Sequence, residues 1–376
     1  MENKKIWLSS PHMGENEFKY VSEAFDLNWI APVGPHLNKF EEKLSEISLG
    51  KDIAAVSSGT SAIHLALILL GIQNGDEVLC SSFTFSASAN PIVYQGATPI
   101  FIDSELDTWN MSPEFLELAI KDRIKRGKKP KAIILVHLYG MPAKMNEILE
   151  IANKYDIPII EDAAEGLGST YFGKPLGCMS DFGIYSFNGN KIITTSGGGA
   201  LISSDSEMIN KAKFLSAQAR DDAPHYEHTH IGYNYRLSNV SASIGLGQLE
   251  VLQDRVKKRR EIFNFYKTQL SEIKEISFPD EIEGFYSNRW LTTILISEDS
   301  KITKEELRLF LEKDKIESRP LWKPMHMQPI FKEYPAYGGD NSEYLFKYGL
   351  CLPSGSNLSD EDLSRIINKI KQAFEK

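Results

Sequence analysis

The sequence predicts an α/β protein built on a mostly parallel, seven-stranded sheet flanked by helices, followed by a smaller α+β domain. Short β-rich runs alternate with segments of helical apolar spacing between about residues 53 and 203. The pattern changes after residue 239, and 376 residues exceed what one small core usually organises. Both observations favour a large domain with a smaller one after it.

Seven runs are predicted as strands because they are short, apolar or β-branched, and bounded by turn residues. They are Ile53–Ser57, Glu77–Ser81, Thr98–Ile102, Lys131–Leu138, Ile157–Glu161, Phe182–Phe187 and Ala200–Ser203. Helical spacing appears between them, over Ala62–Leu70 and Met145–Tyr155. Ser112-Pro113 opens a further helix, since Ser is a good cap and Pro suits the first turn.

The C-terminal part of the chain begins with a long helical stretch that runs from Asn239 to about Leu270. Two capping boxes, Thr303 with Glu306 and Ser359 with Asp362, open later helices. We expect a large domain over residues 1–250, including an N-terminal arm over 1–35, and a small domain over 251–376. The long helix, rather than a flexible linker, would join them.

Composition excludes several classes of function. A formal net charge of −9 argues against a nucleic-acid binder, and we interpret the basic run Arg255–Arg260 as a solvated helix face. Three well-separated cysteines, Cys80, Cys178 and Cys351, lack metal-type spacing, so we expect no metal site and a reducing compartment. With no signal-peptide core and no apolar span, the expected location is the cytoplasm, away from membranes.

The stretch Ser57-Ser58-Gly59-Thr60-Ser61 lies between a predicted strand and an apolar helix. Free amides and the helix dipole at such a turn attract anions, and a glycine lets a phosphate approach closely. An ordinary Ser/Thr helix cap has the same local pattern.

A second motif, Glu161-Asp162-Ala163-Ala164-Glu165, ends an apolar strand. In an open α/β sheet that end faces the ligand crevice, and a carboxylate there can pair with a cation such as a protonated pyridine nitrogen. A magnesium ligand or a helix cap would also fit this pattern.

The third motif is Lys191, which follows Tyr185–Asn190 and precedes the run Gly197–Gly199. A lysine just past a strand has the reach to form a Schiff base, and its amine can attack and move protons. A solvated lysine is the alternative, and the glycines do not form a GxGxxG fingerprint. Because strand ends of one sheet meet at one edge, the three motifs together predict a pyridoxal phosphate site. Phe85, past another strand, is either a ring-stacking residue or a core aromatic.

The chain resembles the sugar aminotransferases of the DegT/DnrJ/EryC1/StrS family, in the fold-type-I pyridoxal phosphate superfamily. The matching stretches are SSGTSAIHLAL, SSFTFSAS, PIIEDAAEGLGS, YSFNGNKIITTSGGGAL and GYNYRLSN. Similarity extends from PHMGENE near the start to LCLPSGSNLSDED near the end. The resemblance therefore covers essentially the whole chain and implies this fold and this cofactor.

The resemblance also implies roles for individual residues. Lys191 would hold pyridoxal 5′-phosphate through a Schiff base and act as acid and base. Asp162 would pair with the pyridine nitrogen, and Glu165 would contact the ring hydroxyl. The remaining cofactor contacts would come from Gly59, Thr60 and Ser186 at the phosphate, Phe85 on the ring face, and Asn234 from the neighbouring subunit of a homodimer.

Within the family, the likeness is to bacterial enzymes that aminate UDP-4-keto-6-deoxy-N-acetylglucosamine in bacillosamine-type pathways. The supporting stretches are NWIAPVG, QARDDAPHYEH and SRPLWKPMH. The residues that would then contact the nucleotide sugar are Asn28, Trp29, Ile30, Ala31, Arg319, Pro320, Leu321, Trp322 and His326. A diphosphate favours Arg and Lys, although Pro320 and Trp322 are equally consistent with a small-domain core.

The implied reaction transfers an amino group from L-glutamate, leaving 2-oxoglutarate, to position 4 of the UDP-linked ketosugar. Relatives that dehydrate sugars carry His in place of the lysine, so Lys191 favours amino transfer over dehydration. Another 3- or 4-keto sugar, linked to dTDP or GDP, stays open as the substrate. A ligand-sensing regulator would need a DNA-binding module and a basic patch.

Overall fold

The computed structural model describes residues 4–375, and its largest sheet has eight strands in the order β1-β9-β8-β5-β4-β2-β3-β14. The strands of this sheet are β1 Asp52–Val56, β2 Glu77–Ser81, β3 Thr98–Ile102, β4 Ala132–Val136, β5 Ile159–Asp162, β8 Phe182–Ser186, β9 Gly199–Ser203 and β14 Ala336–Tyr337. Neighbouring strands pair in parallel except at β9, which is antiparallel to both β8 and β1. The predicted mostly parallel sheet is confirmed, but it has one strand, β14, beyond the seven predicted.

Helices cover both faces of this sheet, as parallel strands require. Those that precede or cross over the strands are α1 Glu17–Asp26, α2 Pro35–Ile47, α3 Gly59–Leu69, α4 Asn90–Tyr94, α5 Pro113–Lys125, α6 Met145–Tyr155, α7 Ser206–Ser216 and α8 Asn239–Glu250. Each of β2, β4 and β9 is buried along its whole length. The side chain of Ser112 caps α5, as predicted.

A second, four-stranded sheet has the order β10-β12-β15-β13 and lies in the C-terminal part of the chain. Its strands are β10 Ile276–Ser277, β12 Thr292–Ile296, β13 Arg319–Pro320 and β15 Gly349–Leu352, and the helices around it are α9 Leu252–Gln269, α10 Lys304–Lys313, α11 Asp340–Tyr348 and α12 Asp360–Phe374. A small third sheet contains β6 Thr170–Tyr171, β7 Lys174–Pro175 and β11 Phe285–Tyr286. Both predicted capping boxes are formed, at α10 and α12.

The predicted helical stretch from Asn239 to Leu270 is divided at Val251 into α8 and α9. The first turns of α9 bury Leu252 and Val256 in the core of the large sheet, whereas Ile262 and Tyr266 pack in the core of the second sheet. This helix therefore contributes to both cores. The domain division at residue 250 stays a prediction, and two segments cross it: Ile6 packs in the second core, and β14 pairs with β3.

One sequence interpretation was wrong. Arg259, in the basic run assigned to a solvated helix face, is 1% exposed. Its guanidinium donates to the carbonyl of Trp290 and to the Ser9 hydroxyl, so it is buried by tertiary contacts that helical spacing does not show. Among residues 4–375, no helix combines the length and the apolar character needed to cross a membrane.

Candidate active site

The turn between β1 and α3 presents hydroxyls and helix amides to a cavity. Ser58 caps α3 by accepting a hydrogen bond from the Ser61 amide at 3.0 Å. The amides of the first helical residues, Gly59 and Thr60, have no partner within the helix. Ser186, at the end of β8, lies close by, since a Cβ on Gly59 would be 3.2 Å from the Cβ of Ser186. This set of donors suits a phosphate group.

The position of this turn depends on a close backbone contact with β9. A Cβ at Gly199 would lie 2.4 Å from the amide nitrogen of Gly59, a distance too short for any residue that has a side chain. Gly199 pairs with Val56 on one side and Ser186 on the other. β9 therefore positions both the turn at Gly59 and the side chain of Ser186, the two sources of donors for a phosphate.

Asp162 ends β5 at the same edge of the sheet and is buried. Its Oδ2 accepts a hydrogen bond from the Ser88 hydroxyl at 2.7 Å, and its Oδ1 accepts one from the Ala164 amide at 3.1 Å. Asp162 lines the cavity together with the turn residues Gly59 and Thr60.

Glu161, the preceding residue, is fully buried and takes part in a separate network. His137 Nε2 lies 3.0 Å from its Oε2, and His137 Nδ1 accepts the Ala143 amide at 3.1 Å. Burial raises the pKa of Glu161, but the hydrogen bond from His137 and the backbone amides of Met179 and Gly177 outweigh it and lower that pKa overall. Sequence analysis did not identify His137, which lies 24 positions earlier in the chain.

The amine of Lys191 lies inside the cavity between an acidic side chain and an indole ring. Its Nζ is 3.5 Å from Glu165 Oε1 and 4.1 Å from the centroid of the Trp290 ring. The indole nitrogen of Trp290 donates to the carbonyl of Asn190 at 2.7 Å, which fixes the ring next to the lysine. Lys191 is therefore held in place and is not the solvated lysine of the alternative interpretation.

Glu165 is buried and has a second contact, from the amide of Tyr139 to its Oε2 at 2.6 Å. Burial raises the pKa of Glu165 above its usual range, and the Lys191 ammonium and the Tyr139 amide only partly offset this effect. Tyr139 adopts a φ of +53°, which points its amide at the carboxylate. The Glu165–Lys191 pair is thus a buried but long ion pair.

Aromatic rings surround the cavity. Phe85 is 51% exposed, and its ring centroid is 5.3 Å from that of Trp322, so Phe85 is not a core aromatic. Tyr139 lies nearly parallel to Trp290 and Trp322, with interplanar angles of 16° and 7°. A flat ring ligand would find apolar faces here.

Two cavities adjoin at this site because they share Asn190, Trp290 and Trp322 in their walls. The inner one, of about 370 Å³, contains Gly59, Thr60, Phe85, Asp162, Glu165, Ser186 and Lys191 in its lining. The outer one, of about 740 Å³, is lined by the arm residues Trp7–Pro11 and by Arg319, Pro320 and Trp322, among others. Every predicted cofactor residue except Asn234 thus faces the inner cavity.

The other predicted substrate residues lie elsewhere. Leu321 is buried, and His326 is absent from the described lining of both cavities. The imidazole of His326 lies 2.6 Å from the Ser82 hydroxyl and 3.1 Å from Glu343. Asn234 is exposed and forms a bridge to Ala217.

Asn28, Trp29, Ile30 and Ala31 form a surface segment beside the start of α8, with Trp29 and Ile30 42% and 51% exposed. The side-chain amide of Asn239 donates to the Trp29 carbonyl at 3.1 Å, and its backbone amide donates to the Ala31 carbonyl at 2.8 Å.

The inner cavity meets the chemical requirements of pyridoxal phosphate. It has helix amides and hydroxyls for the phosphate at Gly59, Thr60 and Ser186. It has a buried carboxylate at Asp162 for the ring nitrogen and a primary amine at Lys191 for the aldehyde. Sequence analysis missed Ser88, Tyr139 and Trp290. Ser88 lies in the matching stretch SSFTFSAS, from which only Phe85 was assigned a role, and Tyr139 and Trp290 lie outside every matching stretch.

Comparisons with known proteins agree with this chemistry. The model of the DegT/DnrJ/EryC1/StrS aminotransferase family matches residues 11–371. The Bacillus subtilis (strain 168) protein EpsN, whose name describes a pyridoxal phosphate-dependent aminotransferase, is 52% identical over 376 residues, covering 99% of this chain and 96% of EpsN.

Two further relatives are similar over nearly their whole lengths. The GDP-perosamine synthase of Escherichia coli O157:H7 is 38% identical over 372 residues, covering 99% of both chains. The solved structure of the sugar aminotransferase Spr1654 from Streptococcus pneumoniae, in its PLP form, superposes with a TM-score of 0.91 at 27% identity and 99% coverage of both chains.

Proposed function

This chain belongs to the DegT/DnrJ/EryC1/StrS aminotransferase family and is a pyridoxal-phosphate-dependent sugar aminotransferase, and we propose that it aminates position 4 of a UDP-linked ketosugar. The substrate would be a UDP-4-keto-6-deoxy-N-acetylhexosamine, the donor L-glutamate, and the product UDP-4-amino-4,6-dideoxy-N-acetylglucosamine. The observation that supports amino transfer is the position of the Lys191 amine. It lies between Glu165 and Trp290 in the wall of a cavity that also has hydrogen-bond donors for an anion.

The inner cavity would hold the cofactor through this chain's own groups. Gly59, Thr60 and Ser186 would bind its phosphate, and Asp162 would face its ring nitrogen. Glu165 would contact the ring hydroxyl, and Phe85 would cover one ring face. When bound, pyridoxal phosphate supplies an electron-withdrawing ring that stabilises negative charge on the carbon next to the reacting amine.

Lys191 would carry the proton in both halves of the reaction. Its Nζ would take the α-proton of glutamate and later return a proton to the amine-bearing carbon of the sugar. Glu165, at 3.5 Å, accepts a hydrogen bond from this amine, and the Trp290 ring covers it. Both neighbours limit where the freed amine can move between the two half-reactions.

The outer cavity would receive the nucleotide sugar. It adjoins the inner one and has a volume of about 740 Å³, which suits a ligand of this size. Arg319, 67% exposed on its side chain and paired with Glu317, would contact the diphosphate together with the neighbouring Trp322. Pro320 and Leu321 would support this wall. His326 remains a proposed contact, and its imidazole forms a hydrogen bond with Ser82.

We further propose a homodimer with shared sites. The segment Asn28–Ala31, in which Asn28, Trp29 and Ile30 are exposed, and the exposed Asn234 lie outside the cavities of their own chain. Residues that contact a ligand of the neighbouring subunit would have this placement. The apolar side chains Trp29, Ile30 and Val33, the last 59% exposed, would be covered by the partner. A cytoplasmic location is proposed because the three cysteines are free thiols.

A GDP-linked ketosugar is the second candidate substrate, and the 38% identical relative named GDP-perosamine synthase favours it. A dTDP-linked 3- or 4-ketosugar has no such relative among those described above. A dehydratase is disfavoured by the retained Lys191.

The decisive experiment incubates the holoenzyme with glutamate and a panel of UDP-, GDP- and dTDP-linked ketosugars, with products identified by mass and NMR. We expect amination of the UDP-linked 4-keto-6-deoxy-N-acetylhexosamine, with the equatorial amine of the proposed glucosamine product identified by NMR. Amination of only a GDP- or dTDP-linked sugar would refute the proposed substrate. Glutamate alone should bleach the visible absorption of the lysine-bound cofactor, and Lys191→Ala should lack that absorption.

A further inference from the structure

We propose that Ser88 and Thr84 are positioning residues for the proposed ring-nitrogen partner, Asp162, and that they act through a directional chain of hydrogen bonds. The Ser88 hydroxyl lies 2.7 Å from Asp162 Oδ2, and the Thr84 hydroxyl lies 2.9 Å from the Ser88 hydroxyl. This inference rests on the proposed role of Asp162. It adds two residues of the stretch SSFTFSAS to which the sequence assigned no role.

The chain of hydrogen bonds has one direction. An ionised carboxylate only accepts hydrogen bonds, so Ser88 must donate its single proton to Asp162. Thr84 must then donate to Ser88, because the Ser88 hydroxyl has no proton left for Thr84. The other oxygen of Asp162 accepts from the Ala164 amide at 3.1 Å. Both carboxylate oxygens therefore have a donor, and the rotamer of Asp162 is fixed.

All three side chains are buried, with 2%, 1% and 5% of Thr84, Ser88 and Asp162 exposed. Water therefore has little access to replace a missing hydroxyl, and a donor removed here leaves a carboxylate oxygen without its partner. Hydrogen bonds to charged groups are among the stronger ones in proteins. The contribution of Ser88 to holding Asp162 should accordingly be measurable.

The same short turn serves two faces of the cavity. A 3₁₀ turn over Ser86–Ser88 follows β2 and brings Phe85 to the open side, where its ring leans against Trp322. Two residues beyond Ser86, Ser88 points the other way, into Asp162. One turn thus couples the residue proposed to cover the ring with the residue proposed to meet its nitrogen.

The test compares pyridoxal phosphate binding and the pH titration of the visible absorption in five variants of the full chain. Ser88→Ala should weaken cofactor binding by about ten- to a hundredfold, the loss of a hydrogen bond to a charged group. It should also move the titration of the visible band to higher pH, because a less well-held Asp162 carboxylate stabilises the protonated ring nitrogen less effectively. Thr84→Val should shift both readouts in the same direction by less.

Ser86→Ala is the matched control, since Ser86 lies in the same turn and its hydroxyl makes no contact with Asp162. Ser88→Thr retains the hydroxyl and should restore wild-type binding and titration. Thermal unfolding of each variant without cofactor separates these effects from loss of fold, and Thr84→Val serves if Ser88→Ala does not fold.

The inference is overturned if Ser88→Ala and Thr84→Val match Ser86→Ala in both cofactor affinity and titration. Asp162→Asn distinguishes this failure from failure of the proposed function. If Asp162→Asn binds the cofactor as tightly as the wild type, the placement of the ring nitrogen is wrong. If Asp162→Asn binds weakly while Ser88→Ala is unchanged, only the role of the hydroxyl chain is wrong.

Discussion

The buried pair formed by Glu165 and Lys191 leads to a prediction about folding that does not require substrate. Lys191→Met removes the charge and keeps most of the length of the side chain, and Glu165→Gln keeps the shape of its partner. In the wild type the two charged atoms are 3.5 Å apart, with 5% of the Glu165 side chain and 13% of the Lys191 side chain exposed. The two single variants and the double variant form a mutant cycle on the cofactor-free chain.

Two unit charges at this distance attract by roughly 5 kcal/mol if the effective dielectric constant is about 20. Hydration and relaxation of the group left behind in each single variant reduce the measured coupling, so we expect about 2 kcal/mol, within the range measured for groups in contact. Lys191→Met should cost about 3 kcal/mol, because it leaves a buried carboxylate with the Tyr139 amide as its remaining donor. Glu165→Gln should cost less than about 1 kcal/mol, because Lys191 keeps its contact with Trp290.

The cost of Lys191→Met should depend on pH in a defined direction. Burial already raises the pKa of Glu165, and loss of the ammonium removes the main influence that lowers it. A carboxyl whose pKa is raised by folding contributes stability that is complete below its unfolded value, near 4.5, and is lost as pH rises through the folded value. The variant should therefore be closest to wild type in mild acid and furthest from it above neutrality.

Urea unfolding followed by tryptophan fluorescence, at one protein concentration and at pH 5.5 and 8, measures these differences. The reasoning fails if the effects of the two single substitutions add to within about 0.5 kcal/mol, the usual result for independent sites. It also fails if Lys191→Met costs more at pH 5.5 than at pH 8.

Three further substitutions test other parts of the structure. Gly59→Ala places a methyl group 3.2 Å from the Cβ of Ser186, so cofactor affinity measured by equilibrium dialysis should fall by about 1–3 kcal/mol; unchanged affinity would place the phosphate elsewhere. Thr303→Ala removes half of a capping box and should lower the unfolding free energy by about 1 kcal/mol, with no change in cofactor affinity. Glu161→Gln breaks a buried network and should cost about 3 kcal/mol at pH 8 by urea unfolding. Because hydrogen bonding with His137 helps to lower the pKa of Glu161, this cost should shrink as pH falls below the usual carboxyl range; a constant cost would contradict the assignment.

Much of the fold follows from local pattern. The predicted bounds of β2, β3 and α6 match those of the structure, because each is a continuous or periodic apolar run with clear turn residues at its ends. The edge strand β14 was missed because two residues, Ala336 and Tyr337, carry no periodicity. It pairs with β3 through a contact more than 230 positions away in sequence.

The residues of the candidate site that lie at the ends of strands could be predicted from the sequence. Gly59, Asp162 and Lys191 lie after strands of one sheet, and that shared edge brings them together. Ser88 and Trp290 could not be found in this way. The direction of the Ser88 hydroxyl depends on a 3₁₀ turn, and Trp290 comes from a segment about 100 residues beyond Lys191.

The structure divides the run Gly197-Gly198-Gly199, which follows Lys191, into positions with opposite requirements. A methyl group at Gly197 would meet no atom within 4 Å, whereas one at Gly198 would lie 2.3 Å from the Thr195 hydroxyl and one at Gly199 would enter the backbone of Ser58 and Gly59. In a library of all amino acids at these three positions, folded chains should vary at 197 and retain glycine at 199. Glycine is required at position 199 because two backbone segments are in close contact there, and not because the chain must be flexible.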